Sequence, residues 1–209
     1  MHSYSAAVDD IVRIQTGLSK FWKNAHGWAP DGAAAMLASA RLELMPSLAA
    51  ALHKWTPETT MSDGELILAW ANLGSLMESS LRLYLAVYLE DFVADHETVK
   101  SLDAVHKKGE KTGMIHDPTE ISLEKMRQYF TKKDILSPKD LAAVVFIQGQ
   151  RNAIHSFSKK DIGSAATFLT HVIRFRRLIA FIGLGLPYPD GFEFEGHWLA
   201  GTILVEPLI

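Results

Sequence analysis

The sequence predicts an all-α protein: a helical bundle of about five to seven helices around one long central apolar helix, with a short non-helical C-terminal tail. Two observations carry this expectation. Between Glu65 and about Asp95 the residues Leu66, Trp70, Leu73, Met77, Leu81, Tyr84, Tyr88 and Phe92 step by three and four, which traces one stripe of a helix. Elsewhere Ser, Asp and Pro stand where periodic runs begin and Gly where they end, the chemistry of helix caps. A chain of 209 residues with 48% apolar and 22% charged side chains supports one sizeable core, so a single domain over 1–209 is expected.

In chain order, a first helix is expected from about Ser5 to Asn24, closed by the turn His26-Gly27-Trp28-Ala29-Pro30-Asp31-Gly32. An Ala-rich stretch from Ala33 to Trp55 follows, with a kink or break at Pro46, because proline lacks the amide donor and clashes one turn back. Ser62-Asp63-Gly64-Glu65 reads as a capping box opening the long apolar helix. Ile67, Leu83, Leu85, Val87 and Leu89 fill its other faces, which predicts cover on several sides. His96 to His116 is polar and Lys-rich and reads as a short helix and a loop through Gly109 and Gly113. Asp117-Pro118-Thr119-Glu120 is expected to cap a helix to about Lys132, and Ser137-Pro138-Lys139-Asp140 another to about His155. The last long helix starts at Lys160-Asp161 and ends near Gly183 or Gly185. Beyond Pro187 the tail, about 187–209, carries apolar Thr202-Ile203-Leu204-Val205, readable as a short strand or as an arm on the core or on a partner.

The composition excludes several chemistries. There is no cysteine, hence no disulfide, thiolate zinc site or cysteine nucleophile, which suits a reducing cytoplasm. The first residues show neither the basic start nor the apolar run of a secretory signal. No window approaches the roughly 18 uninterrupted apolar residues of a membrane span, so a soluble, cytoplasmic protein is expected. The net charge of −3 supplies no global attraction to nucleic acid, so RNA binding would rest on a local basic patch. Helical di-iron proteins use Glu-x-x-His pairs; none occurs, and Asp103-Ala104-Val105-His106 is the nearest match. No metal or other cofactor is expected.

Chemistry concentrates at Gln150-Arg151-Asn152-Ala153-Ile154-His155-Ser156-Phe157. Ala143, Phe146, Ile147, Ile154 and Phe157 make a core-facing stripe, while Gln148, Arg151, Asn152 and His155 form a polar surface in the last two turns. If the helix persists, Arg151 and His155 are neighbours one turn apart. Histidine exchanges protons near neutral pH and arginine holds phosphate oxygens in pairs, which together suffice in kind for metal-free RNA cleavage by the 2′-hydroxyl. Glu78 is a supporting candidate: a half-buried carboxylate needs a cation, and Arg82, one turn away, is favoured over Arg151. Lys159 and Lys160 lie just beyond His155, where they could contact an RNA backbone.

Arg151-Asn152 with a following histidine, placed where the penultimate helix gives way to the last long one, resembles the signature of the HEPN superfamily (higher eukaryotes and prokaryotes nucleotide-binding domain). The long helix with Gly74, Glu78, Tyr84 and Tyr88 is similar to that family's central helix, and the resemblance covers about 62–185. It implies an all-α RNA-processing or RNA-binding protein, in its catalytic form a metal-independent endoribonuclease of a defence or toxin–antitoxin system. It further implies His155 as acid or base, Arg151 stabilising the pentacovalent phosphate, Asn152 positioning one of them, and a homodimer that pairs two such motifs. Here three residues separate Arg151 from His155, where the family has four to six. The residues alone leave a second reading open: arginine and histidine near a helix C-terminus also serve free carbonyls and the helix dipole. The same fold would then be a non-catalytic interaction module for a protein partner or nucleotide.

Overall fold

The computed structural model of the protein describes residues 3–107, 111–154, 161–194 and 196. Among them are nine α-helices and no strand; Val105 and Ile115 alone meet in an isolated antiparallel bridge. The all-α expectation holds.

Ser3 caps α1 (Tyr4–Trp22), whose Val8, Ile11, Ile14, Leu18 and Trp22 are fully buried. The Ala-rich stretch divides into α2 (Asp31–Ser39) and α3 (Leu44–Ala51), followed by a 3-10 turn at Leu52–Lys54. The break lies at residues 40–43 and not at Pro46. Proline occupies the first turn of α3, where its missing amide would have had no helical acceptor anyway.

The capping box is complete: Ser62 Oγ accepts from the Glu65 amide at 3.4 Å, and Glu65 Oε2 accepts from the Ser62 amide at 2.8 Å. It opens α4 (Asp63–Val87), which is shorter than the periodicity predicts. The apolar stripe continues past it, but the backbone turns out of the helix at Tyr88 (φ −92°, ψ 36°), and α5 (Leu89–Ala94) carries Phe92 into the core. The tilted contact of Tyr84 with Tyr88, ring centres 4.7 Å apart, and the bond from Tyr88 Oη to the Gly185 carbonyl at 2.6 Å settle this bend. Leu66, Trp70, Leu73, Met77 and Leu81 are buried as the stripe requires, whereas Leu68 stands 59% exposed, so cover is not continuous around the helix. α4 packs on α2, α3, α8 and α9.

Asp95 caps α6 (His96–Ser101). The Asp117–Glu120 segment does not cap the next helix. It closes on itself, Thr119 N donating to Asp117 Oδ1 at 2.7 Å, and Ser122 caps α7 (Leu123–Lys132). Ser137 with Pro138 at the first position opens α8 (Pro138–Arg151) as expected. α8 then tightens into a 3-10 turn at Asn152–Ile154, and this rotates Ile154 out to 50% exposure where the periodicity placed it in the core. His155, Phe157, Lys159 and Lys160 lie outside the described residues. α9 (Ala165–Leu184) begins four residues later than expected, capped by Ser164, because Asp161 spends its carboxylate on the Gly163 amide at 2.8 Å. After α9, Pro189–Phe192 form a turn and Phe194 is buried against Gly183, where any side chain would collide with its ring. The expected strand around 202–205 also lies outside the described residues.

α1 packs on α3 and α9, so the first and ninth helices meet. Their buried faces share one ion pair: Arg176 Nη1 donates to Asp10 Oδ2 at 3.2 Å, with the Arg176 side chain 2% exposed.

Candidate functional site

Gly74, Glu78 and Arg82 follow one another at four-residue steps and therefore form a column on α4. The last turn of α8 lies across this column. A Cβ at Gly74 would come within 2.7 Å of Arg151 Cβ and Cδ, so the bare glycine backbone is the bed on which the arginine stem rests. One turn on, Glu78 Oε2 accepts from Arg151 Nη1, and its other oxygen accepts from Arg82 Nη2 at 2.7 Å. Sequence posed Arg82 and Arg151 as alternative partners; a carboxylate has two oxygens, and both arginines are bound. Arg82 also donates to the Pro118 carbonyl and, at 3.3 Å, to that of Ile121. This ties the 117–121 turn into the same network.

The network is half-buried: the side chains of Glu78, Arg82 and Arg151 are 20%, 24% and 35% exposed. Two cations on one anion leave one positive charge over. The guanidinium of Arg151 has five N–H donors, and Glu78 occupies its Nη1, so the arginine is oriented without being used up. Asn152 is the C-cap of α8, its backbone amide donating to the Gln148 and Gln150 carbonyls. Arg151 and Asn152 thus stand where the sequence placed them, at the end of the penultimate long helix. The α-helix ends at Arg151 and continues as a 3-10 turn to Ile154.

A second feature was not legible in the sequence. His171 of α9 is buried between aromatic rings from two other helices: Phe146 of α8 stacks on it at 4.2 Å and 12°, and Trp70 of α4 meets it edge-on at 5.6 Å. Its Nδ1–H donates to the Thr167 carbonyl at 2.8 Å, which fixes the tautomer and leaves the lone pair on Nε2. Burial pushes its pKa below the usual histidine value; the Thr167 bond opposes that shift and the Arg174 charge adds to it. The only sequence signal was a lone histidine at helical spacing with Phe168 and Phe175. Trp70 also donates Nε1–H to the Ile162 carbonyl at 3.0 Å, anchoring the chain just before α9 one turn of α4 away from Gly74.

The rings of His106 and His116 meet at a tilt of 35° with centres 4.1 Å apart, and His106 Nε2 lies 3.1 Å from Glu120. Among the described residues no three His, Cys, Asp or Glu side chains converge in metal-binding geometry. No single described helix is long and apolar enough to cross a membrane.

Comparison of the chain with protein-family models, with curated proteins and with solved structures finds no match.

Proposed function

We propose that this chain is an RNA-binding and RNA-processing protein of the HEPN type, acting as a metal-independent endoribonuclease. The observation that carries the reading is Arg151. It ends α8, rests on Gly74, is oriented by Glu78 and remains one-third exposed, the arrangement a phosphate-binding arginine requires. In this reading the 2′-oxygen of a ribose attacks the adjacent phosphorus and the 5′-oxygen leaves. Arg151 holds the charge that builds on the phosphoryl oxygens, His155 moves the proton as acid or base, and Asn152 positions one of them. Lys159 and Lys160 contact the RNA backbone. Two copies of the motif face one another across a homodimer.

The test is RNA cleavage by purified protein in EDTA, with His155→Ala and Arg151→Ala variants that remain folded. The native chain is expected to produce 2′,3′-cyclic phosphate ends, and both variants to lose that activity.

One observation favours the second reading, a non-catalytic module that binds a protein partner or nucleotide: Arg151 is tied to a carboxylate of its own subunit. Absence of cleavage across structured and single-stranded RNAs, with all three proteins folded and dimeric, would select it.

A further inference from the structure

The face of α4 next to Glu78 and Arg82 borders a crevice of about 260 Å³ between α4 and the α2–α3 corner. Its walls are apolar, with Met45 and Leu48 from α3 facing Leu83 and Ala86 from α4. Ser79 and Thr119 complete the uncharged part of the lining. The charged residues of the lining are Arg41 and Arg82, and no carboxylate lines it.

The two arginines differ in what they can offer. Arg82 is committed to Glu78, Pro118 and Ile121, so it contributes a fixed positive field. Arg41 stands at the rim with its side chain 74% exposed, and its contact to Glu43 is long, 3.5 Å from Nε. Glu43 is held more closely by Lys23, at 2.5 Å. Each arginine therefore belongs to a cluster of two cations around one anion, and both clusters present excess positive charge to an apolar hollow.

We infer that this crevice is a binding site for a small amphiphilic monocarboxylate, its apolar body between α3 and α4 and its carboxylate on Arg41. Size narrows the class. A cavity of about 150 Å³ takes benzene, or roughly 25 Å³ per heavy atom, which scales here to about ten heavy atoms. A straight-chain carboxylic acid of about eight carbons matches that count. An aryl acetate of the same count falls in the same class, whereas a long-chain lipid exceeds it. Exposed Leu44, 39% accessible at the mouth, leaves an entry path. The inference stands on this crevice and not on the ribonuclease reading.

The test is isothermal titration of the full chain with sodium octanoate, with 1-octanol as the uncharged analogue of the same chain length. One saturable site per chain is expected, with octanol weaker by about two- to fivefold, the factor carried by an ion pair on a guanidinium that is 74% exposed. Arg41→Gln, an exposed substitution, is expected to lose the same factor. Ala40→Leu, which fills the hollow from its edge, is expected to abolish binding. Equal binding of octanol and octanoate, indifference to either substitution, or no saturable binding by the native chain would overturn the assignment.

Discussion

Replacing Gly74 by alanine would turn a local preference against a tertiary contact, and the two can be weighed. An alanine inside an ordinary helix stabilises it by about 0.5–1 kcal/mol relative to glycine. At position 74 the added methyl would sit 2.7 Å from Arg151 Cβ and Cδ and 2.9 Å from Cγ. The outer two atoms belong to a flexible stem, but Cβ moves only with the backbone of α8. Overpacking of this kind costs about 1–3 kcal/mol. The net expectation is a loss of about 1 kcal/mol in urea unfolding. Gly149 supplies the control, since a Cβ there meets nothing within 4 Å; Gly149→Ala should gain about 0.5 kcal/mol. In an Arg151→Ala background two of the three obstructing atoms are gone, so the cost of Gly74→Ala should shrink, with a coupling on the order of 1 kcal/mol. If Gly74→Ala proves as stable as Gly149→Ala, the close seating of α8 on α4 is refuted.

Three further outcomes follow from the same structure. Asp10→Ala strands the guanidinium of Arg176, 2% exposed, and should cost about 3–5 kcal/mol by urea titration; a loss under about 1 kcal/mol would mean the pair is not buried as described. Ser62→Ala removes the acceptor for the Glu65 amide and should destabilise the fold by about 1 kcal/mol, while an unchanged urea midpoint would show that the cap is idle. His171 has a folded pKa below its ordinary 6.5. As pH falls through that value the unfolded chain gains a proton that the folded chain refuses. Stability present at neutral pH is therefore lost on acidification. Urea midpoints of the native chain and His171→Phe at pH 7.5 and 5.5 check this: the native chain should lose more, and parallel losses would contradict it.

Legibility in the sequence followed how local each signal was. The start of α4 is a contract between Ser62 and Glu65, three residues apart, and it was readable in full. Asp117-Pro118-Thr119-Glu120 carries equally good capping chemistry, yet Arg82 takes the Pro118 carbonyl from another helix and the side chains close a turn instead. Nothing local distinguishes the two. The end of α4 was hidden for the same reason, since its apolar period runs on while Tyr88 is drawn to Gly185, 97 residues away. At the site, Glu78 and both its partners could be named from spacing and chemistry. That one carboxylate binds both required the approach of α8, 73 residues distant. His171 needed rings from two other helices to become more than an apolar-face histidine.

The meeting of α1 with α9 bears on how the protein is made. Asp10 and its buried partner Arg176 are 166 residues apart. At synthesis rates of about 5–20 residues per second, roughly ten to thirty seconds separate their emergence from the ribosome. Through that interval the apolar face of α1 has no α9 to cover it, and its shelter is limited to earlier elements, chiefly α3. Long-range closure of this kind slows folding and leaves the nascent chain open to aggregation, so the yield of folded protein in a cell should depend on chaperone supply more than its finished stability would suggest.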